Sequence, residues 1–134
     1  EIFKKEEVDI VLIDLRKNGG GRLVESINLT GLFIDQGPVV QVKDNHNRIQ
    51  LLLDTEAGVA WSGPLVVLTS HMSASASEIF AGAIQDYRRG IIVGDPATHG
   101  KGTVQQIMDL NRQLFRRSTK GVNLGALKLT IQKF

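Results

Sequence analysis

Apolar and polar residues along the chain form two repeating patterns, one typical of strands and one typical of helices. A nearly unbroken apolar run predicts a strand over residues 10–15, buried on both faces of a parallel sheet. Apolar residues at helical spacing predict helices over residues 23–34 and 75–88. Short apolar runs predict strands over residues 65–69 and 91–93. Strands that alternate with helices in this way predict an α/β sheet with crossover connections.

Two hairpins are predicted as additions to this sheet. One joins apolar runs over residues 39–42 and 49–53 across a polar turn. The other joins an alternating run that ends at Leu110 to a run that begins at Leu127, with a long loop between them. The chain has 134 residues, of which 42% are hydrophobic and 22% are charged, so we expect one ordinary globular domain over residues 1–134.

Charge and cysteine content exclude several functions. The net charge is only +2, and the basic cluster of the sequence has no interleaved aromatic residues, so we expect a solvated loop there and no nucleic-acid surface. The members of this cluster are Arg112, Arg116, Arg117 and Lys120. The absence of cysteine excludes both disulfides and a thiol nucleophile. No apolar run approaches the roughly 18 residues of a membrane helix, so no membrane span is expected.

A cluster of serines opens the second predicted helix and offers a nucleophile. Ser75 is better placed than Ser73 or Ser77, because Glu78 follows it by three positions, directly before the apolar helical run. The N–H of Ala76 and the positive end of the helix dipole are suited to stabilising an oxyanion. The same Ser-x-x-Glu spacing is the capping-box signature, in which the two side chains only satisfy free N–H groups of the helix. Both interpretations stay open at this point.

Lys101 lies in a glycine-rich turn and supplies the base that such a serine requires. A serine hydroxyl becomes a good nucleophile when a neighbouring base removes its proton, and a lysine can do so only when it is neutral. Its pKa would have to fall from about 10.4 to roughly 7 or 8, which burial beside the turn would cause. Taken alone, Lys101 is more simply explained as a solvated loop lysine.

A second glycine-rich turn, over residues 19–21, lies between the first predicted strand and the first predicted helix. Its three glycines let the backbone turn sharply and leave N–H groups free to meet an anion. A plain strand-to-helix turn is the alternative explanation. The combination of the two glycine-rich turns with the serine cluster favours a serine-lysine hydrolase over these simpler explanations.

Four segments follow one another in a fixed order along the chain. They are DLRKNGGG at residues 14–21, SASASEIF at 73–80, QDY at 85–87 and GKGTVQQ at 100–106. Together they closely resemble the carboxy-terminal processing proteases, and most closely the tail-specific branch of that family, whose members are serine peptidases with a serine-lysine dyad. The resemblance extends over nearly the whole chain. It implies a Clp protease/crotonase-like α/β fold with crossover helices and hairpin additions.

The resemblance implies a role for three residues in the reaction itself. Ser75 is the nucleophile, Lys101 is the general base, and Gln105 orients the pair. The Cα atoms of Lys101 and Gln105 would be about 13 Å apart in an extended strand, and within about 6 Å in a helical turn. The role of Gln105 therefore needs a turn or a bulge between the two residues.

Further residues are expected to support the reaction. By resemblance, the N–H groups of Ala76 and of the glycine turn, Gly21 with Gly20 beside it, form the oxyanion hole, while Glu78 and Thr98 support the site. The loop that leads to the lysine, over residues 95–101, is one residue longer than is usual in the family.

Asp86 and His99 need separate interpretations. Asp86 lies eleven residues after Ser75, about 16 Å along a regular helix, so we expect a structural role, such as fixing the loop ahead of Ile91, and no contact with the serine. His99 occupies a position where the family usually has an aromatic residue. Ala97, in the same loop, belongs to the part of the sequence that departs from the family pattern.

The resemblance also implies the setting in which the chain acts. The family uses no metal or organic cofactor, and it acts on proteins or peptides with apolar carboxy-terminal tails, which a separate PDZ domain recognises. This chain contains no such domain, so we interpret it as part of the catalytic core of a larger, periplasmic protease, with the PDZ and flanking domains absent. Apolar surface that those parts normally cover is then expected to be exposed.

Three other functions remain to be weighed. The three histidines, His46, His71 and His99, keep a serine-histidine hydrolase open, although no Gly-x-Ser-x-Gly segment is present. A nucleotide-binding P-loop is excluded by the spacing of the glycines around Lys101. A non-catalytic module of the same fold that binds peptide tails or acyl groups also remains, and a missing or misplaced lysine would distinguish it.

Overall fold

The computed structural model describes residues 5–114 and 123–134. The described strands and helices alternate in the first two thirds of the chain, as the sequence predicts. In chain order they are β1 (Val11–Asp14), α1 (Leu23–Gly31), β2 (Gly37–Asp44), β3 (Ile49–Asp54), β4 (Leu65–Thr69), α2 (Ala76–Asp86), β5 (Ile91–Gly94), β6 (Thr103–Asp109), α3 (Leu110–Leu114) and β7 (Ala126–Lys133).

A three-stranded parallel sheet and the two longer helices form the core. The strand order is β1-β4-β5, and Val11 lies opposite Leu65 in the first pair of strands. Alternate residues of β4 are buried, because their side chains point toward the helices while their neighbours point away. Phe33 and Phe80 meet edge to face, with ring centroids 5.9 Å apart. The buried apolar cluster consists of Leu15, Phe33, Trp61, Leu65, Val67, Phe80, Ala81 and Ile84.

The opposite face of the parallel sheet is exposed, so the prediction that the first strand is buried on both faces is wrong. Leu12 is 56% exposed and Ile91 is 64% exposed. Side chains in a strand alternate between faces, and those of α2 pack on the face that contains Val67. Within the described residues nothing covers the other face. The expected exposure of apolar surface is confirmed here.

The remaining strands form a separate antiparallel sheet rather than additions to the first one. Its order is β3-β2-β7-β6, in which β2 with β3 and β6 with β7 are the two predicted hairpins. The short helix α3, which was not predicted, follows β6 directly. The β6–β7 register shifts between Val104 and Gln105, as at a β-bulge. Ile49, Leu51 and Ile107 are more than half exposed on this sheet.

The first helix is shorter than predicted, since α1 ends at Gly31 and not at residue 34. Beyond its end the carbonyl of Leu32 accepts the N–H groups of Ala60 and Trp61, at 2.9 and 3.1 Å, so it cannot continue the helical hydrogen bonding. Gly31 also packs so closely on Asp54 that an added Cβ would lie 2.6 Å from its carboxylate. A long-range contact therefore sets the end of this helix.

Two predictions concern parts of the chain outside the core. Of the basic cluster, Arg112 is exposed in α3, whereas Arg116, Arg117 and Lys120 lie outside the described residues. No helix in the described ranges is both long enough and apolar enough to cross a membrane.

Candidate active site

Ser75 occupies the N-cap of α2 in an unusual backbone conformation. Its φ is 58° and its ψ is −118°, a region that non-glycine residues rarely adopt and that is strained. The Glu78 carboxylate accepts the N–H of Ser75 at 2.6 Å, within a Ser75–Glu78 capping-box arrangement. The capping interpretation is therefore confirmed as local geometry. It does not explain the strain, because an N-cap ordinarily has an extended backbone.

The other two serines of the cluster are buried and hold the loop in place. Ser73 is fully buried and donates its hydroxyl to the carbonyl of Leu15 at 2.7 Å. Ser77 is also buried and donates to the carbonyl of Asn18 at 3.0 Å. Of the three serines, Ser75 is the one that lines a cleft of about 620 Å³, which Lys101 also lines. Burial thus separates the half-buried Ser75 from two buried serines that hold the loop.

The glycine turn packs directly against Ser75. Gly20 has a φ of 100°, and a Cβ at this position would lie 2.7 Å from the Cβ of Ser75 and 2.6 Å from the carbonyl oxygen of Ala74. Its N–H donates to the Asn18 side chain at 2.9 Å, so it is not free to bind an oxyanion. The prediction that Gly20 contributes an N–H to the oxyanion hole is therefore corrected. Because Gly20 has no Cβ, it instead lets the glycine turn pack closely against Ala74 and Ser75.

Two backbone N–H groups beside Ser75 remain available. The N–H groups of Gly21 and Ala76 have no hydrogen-bond partner among the described residues. Gly21 follows the turn that packs on Ser75, and Ala76 is the first residue of α2. The positive end of a helix dipole and two free donors are the features of an oxyanion hole.

Asn18 is a residue that the sequence analysis missed. Its side chain accepts the N–H of Gly20, and its carbonyl accepts the N–H of Ala74 at 3.1 Å and the hydroxyl of Ser77. It therefore connects the glycine turn to the loop of the nucleophile. An asparagine that precedes two glycines commonly accepts the N–H two residues later, and this was the available signal.

Glu78 connects the serine to the lysine loop. Besides the N–H of Ser75, its carboxylate accepts the hydroxyl of Thr98 at 2.8 Å and the N–H groups of Gly100 and Lys101 at 2.6 and 3.0 Å. Burial is the largest single influence and raises the pKa of Glu78. The four hydrogen bonds together outweigh it, so the pKa lies below its ordinary value. The carboxylate is therefore ionised, and its two oxygens accept four hydrogen bonds in all.

Ser75, Lys101 and Gln105 line one cleft of about 620 Å³, together with Gly21 and Ala76. It lies between the start of α1 and the β6–β7 hairpin. Although they share the cleft, Ser75 Oγ and Lys101 Nζ are not hydrogen bonded to each other in the described structure. The register shift beside Gln105 places its extra residue, Ile131, on β7, so it is not the turn or bulge between Lys101 and Gln105 that the role of Gln105 requires, and that role stays a prediction.

Asp86 lies far from this cleft. It is the last residue of α2 and is exposed, while Ser75 precedes the first, so the whole helix separates them. The loop ahead of β5 is held by Arg89, which the sequence analysis did not single out. Its guanidinium donates to the carbonyls of Phe33 and Trp61 at 2.8 and 2.6 Å. Arg89 thus makes the contacts that were expected of Asp86.

The histidines do not line the cleft that contains Ser75. His71 is 79% exposed in its side chain and pairs with Asp95 through Nδ1 at 3.0 Å. Hydrogen bonds from the backbone and the side chain of His71 lower the pKa of Asp95. His99 donates its backbone N–H to the carbonyl of Ser73 at 3.0 Å. His71 and His99 therefore connect the loop that leads to Lys101, over residues 95–101, to the loop that precedes α2.

Known proteins resemble the chain in sequence and in fold. It is 50% identical over 132 residues to the tail-specific protease of Haemophilus influenzae, covering 98% of the chain and 18% of that protein. It is 36% identical to carboxyl-terminal-processing peptidase 2 of Arabidopsis thaliana, a chloroplastic protein, covering 83% of the chain and 22% of that protein. The chain thus spans about a fifth of the length of these relatives.

The photosystem II D1 C-terminal processing protease has a similar solved structure, with a TM-score of 0.76 and 30% identity. The match covers 98% of this chain and 31% of that one. The predicted Clp protease/crotonase-like α/β fold is confirmed by this match. The sequence model of peptidase family S41 matches residues 1–134. With motifs, site geometry, fold and family model in agreement, the chain belongs to peptidase family S41.

Proposed function

We propose that this chain is the catalytic segment of a serine endopeptidase of the carboxy-terminal processing, tail-specific type. A single observation supports this most strongly. Ser75, Lys101 and the two free N–H groups of Gly21 and Ala76 line the same cleft. Acyl transfer requires a nucleophile, a base and oxyanion donors that border the same space.

The reaction proceeds through an acyl-enzyme. Ser75 Oγ attacks the carbonyl carbon of the scissile peptide bond while the amine of Lys101 takes the hydroxyl proton. The N–H groups of Gly21 and Ala76 bind the oxyanion that forms. The proton then passes to the leaving amine, the C–N bond breaks, and an ester to Ser75 remains. Water, deprotonated by the same lysine, hydrolyses the ester to a carboxylic acid and regenerates the serine.

Gln105 and Glu78 have positioning roles in this proposal. Gln105 lines the same cleft as Lys101, and its proposed role is to orient the lysine amine toward the serine. Glu78, supported by Thr98, fixes the backbone of Lys101 relative to that of Ser75. No step of the reaction requires a metal or an organic cofactor.

The setting of the reaction is part of the same proposal. The chain spans 18% of the Haemophilus tail-specific protease, so the complete protein is expected to contain further domains that capture substrates with apolar carboxy-terminal tails. A periplasmic location is proposed on the family resemblance. Cell fractionation with an antibody to this chain would locate the protein directly.

The decisive experiment compares three serines in the full-length protein that carries this chain. Ser75→Ala is expected to lower the rate of peptide cleavage by at least about a thousandfold, because no nucleophile remains. Ser73→Ala and Ser77→Ala are the matched controls and are expected to retain much of the activity. Each control loses a buried hydrogen bond worth about 1 kcal/mol, so its folding must be checked by circular dichroism.

Three results would contradict the proposal. Equal losses from all three substitutions would favour a structural serine cluster. Unchanged cleavage by Ser75→Ala would mean that another group is the nucleophile. Binding of tail peptides without cleavage by the wild type would instead favour the non-catalytic module.

A further inference from the structure

Asn18 lies next to the two free N–H groups but does not line the cleft that they border. Gly21 and Ala76 line that cleft together with Ser75, whereas the side chain of Asn18 is bonded to the glycine turn. Asn18 therefore has no described contact with the space in which a substrate would be cleaved. Any effect of Asn18 on the reaction is transmitted through the backbone of its neighbours.

The glycines that follow Asn18 do not by themselves fix the direction of the Gly21 N–H. Glycine adopts both signs of φ about equally well, so a run of three leaves the backbone many conformations of similar energy. A Cβ on Gly19 or on Gly21 would meet no atom within 4 Å, so both residues lie in open space. An oxyanion donor acts most strongly when its direction is fixed before the reaction. Another contact therefore has to hold the turn.

The side chain of Asn18 makes such a contact. Its Oδ1 accepts the N–H of Gly20 at 2.9 Å, which holds the peptide group that enters Gly20. The peptide group that leaves Gly20 carries the N–H of Gly21, so the two groups are joined through a single Cα. Holding the first group limits the directions in which the N–H of the second can point.

The backbone of Asn18 holds the segment that carries the other donor. Its carbonyl accepts the N–H of Ala74 at 3.1 Å and the hydroxyl of Ser77 at 3.0 Å. These two residues lie on either side of the nucleophile and Ala76. The N–H of Asn18 donates to the carbonyl of Leu15, directly after β1, at 3.0 Å. The position of Asn18 is thus set by the parallel sheet.

Gly20 also lies against the second donor. A Cβ on Gly20 would be 3.0 Å from the backbone nitrogen of Ala76, so a change in the turn would change the spacing between the two free N–H groups. We infer that Asn18 is a positioning residue that holds the N–H groups of Gly21 and Ala76 at the spacing and direction that one oxyanion requires. This inference rests on the proposed function, since it concerns the oxyanion hole of that reaction.

A substitution at Asn18 tests the side chain alone, because the backbone carbonyl remains. Asn18→Leu removes the acceptor and keeps a branched side chain of similar shape. In the full-length protein it is expected to lower kcat at least about tenfold and to leave KM within about threefold, because the affected contacts form mainly in the transition state. The loss should be smaller than the hundredfold or more that follows removal of a donor, since the Gly21 N–H is still present.

One rescue variant and one control accompany this substitution. Asn18→Ser keeps an oxygen that can accept the N–H two residues later, although more weakly. It is expected to have at least about threefold higher kcat than Asn18→Leu, and an equal kcat would count against the inference. Asn28→Leu is the matched control, because Asn28 is exposed on α1 and lines a different cavity. It should have the kcat of the wild type.

A peptide boronic acid separates positioning from a purely structural role. Its adduct with Ser75 is tetrahedral and places an oxygen in the oxyanion hole, so the inhibitor resembles the transition state. Asn18→Leu should raise the inhibition constant by about the factor by which it lowers kcat. All rates are divided by the folded fraction from circular dichroism. A structural role would leave kcat per folded molecule and the inhibition constant unchanged, and would overturn the inference. A rise in KM alone would also overturn it.

The two proposals can fail separately. If cleavage depends on Ser75 but Asn18→Leu keeps the kcat and inhibition constant of the wild type, only the assignment of Asn18 is wrong. If the wild type and Ser75→Ala cleave at the same rate, the proposed function fails and the inference fails with it. If Asn18→Leu does not fold, Asn18→Ala is judged by the same criteria, because it removes the same acceptor without adding a larger apolar side chain.

Discussion

Ser75, the proposed nucleophile, and Lys101, the proposed base, come from two regions that are held in place in different ways. The loop before α2, which ends at Ser75, is hydrogen bonded to the segment after β1 at several points. Ser70 donates to the carbonyl of Arg16 at 2.5 Å, and Ser73 donates to that of Leu15 at 2.7 Å. These serine side chains fix the position of the nucleophile loop against the parallel sheet, beside the buried core.

Lys101, by contrast, lies between the parallel sheet and the antiparallel sheet, on a loop that is anchored to the loop before α2 and to Glu78 rather than to the segment after β1. Glu78 accepts two of its backbone N–H groups, and His71 contacts Asp95 at its beginning. The antiparallel sheet that follows carries many exposed apolar side chains. The hydrogen bonds between these two loops, and those to Glu78, therefore set the position of Lys101 relative to Ser75. Substitutions in these links are expected to lower activity more than they lower stability.

The largest effect is expected when the base itself is removed. Lys101→Met should lower kcat/KM at least about a hundredfold, because a general base contributes that much or more. Lys128→Met is the matched control, since Lys128 also lines the cleft but is exposed and lies on β7. Peptide cleavage by both purified full-length variants measures the difference. Equal losses would indicate that the cleft needs positive charge and not a base at Lys101.

A methyl group added beside the nucleophile is expected to have the next largest effect. Gly20→Ala would place its Cβ 2.7 Å from the Cβ of Ser75, at a φ of 100°. We expect about a hundredfold loss of activity from the displaced serine, and a loss of about 1–3 kcal/mol of unfolding free energy from the strain. A Cβ on Gly19 meets no atom within 4 Å, so Gly19→Ala should resemble the wild type. Chemical denaturation and peptide cleavage check both variants.

A moderate effect is expected at the link between the two regions. Glu78→Gln should lower activity about tenfold, because an amide can accept only part of the four hydrogen bonds and its NH₂ then faces N–H groups. Glu56→Gln is the control, since Glu56 is exposed and outside the cleft. If Glu78→Gln retained full activity, the lysine loop would not depend on this carboxylate.

Glu78 also predicts a pH dependence of stability. Since its pKa is lowered in the folded protein, its contribution to stability is fully present above its unfolded pKa, near 4.3, and is lost as the pH falls through the lower folded value. The unfolding free energy of the wild type should therefore decrease below about pH 4.3. Denaturation curves for Glu78→Gln should show a weaker decrease over the same range. Identical decreases would assign the acid sensitivity to other carboxylates.

The smallest effect is expected at the exposed histidine pair. His71→Asn should keep activity within about tenfold, because His71 does not line the cleft and contributes only a contact with Asp95. Loss of a general base would cost about a hundredfold or more. Assays of His71→Asn and of His99→Asn, side by side, test this. A thousandfold loss at either would support a histidine base and the serine-histidine alternative.

The sequence predicted the elements of the fold well and their assembly less well. Helix α2 was predicted because its capping signature and apolar spacing are local in sequence. The pairing of strands is not local. The unbroken apolar run of β1 therefore suggested burial on both faces, whereas Leu12 lies on an exposed one. For the same reason two separate sheets were not distinguished from one sheet with additions.

In the candidate site, too, features that are local in sequence were predicted, and features that depend on long-range contacts were not. Ser75 was chosen over its neighbours from the position of Glu78, three residues along, and the structure places Ser75 in the cleft. The roles of Gly20 and Asn18 were not predicted, because they depend on contacts with a loop more than fifty residues away. The positive φ of Ser75, next to that turn, likewise cannot be predicted from local spacing.

A double-mutant cycle on Ser75 and Lys101 in the full-length protein tests the central claim most directly. Residues that act as one catalytic unit are strongly non-additive, so removing either one costs nearly as much as removing both. We predict that Ser75→Ala, Lys101→Met and the double variant have the same residual kcat/KM within about tenfold. If the losses of the two single variants multiply in the double variant, the two residues act independently, and the proposed serine-lysine dyad is wrong.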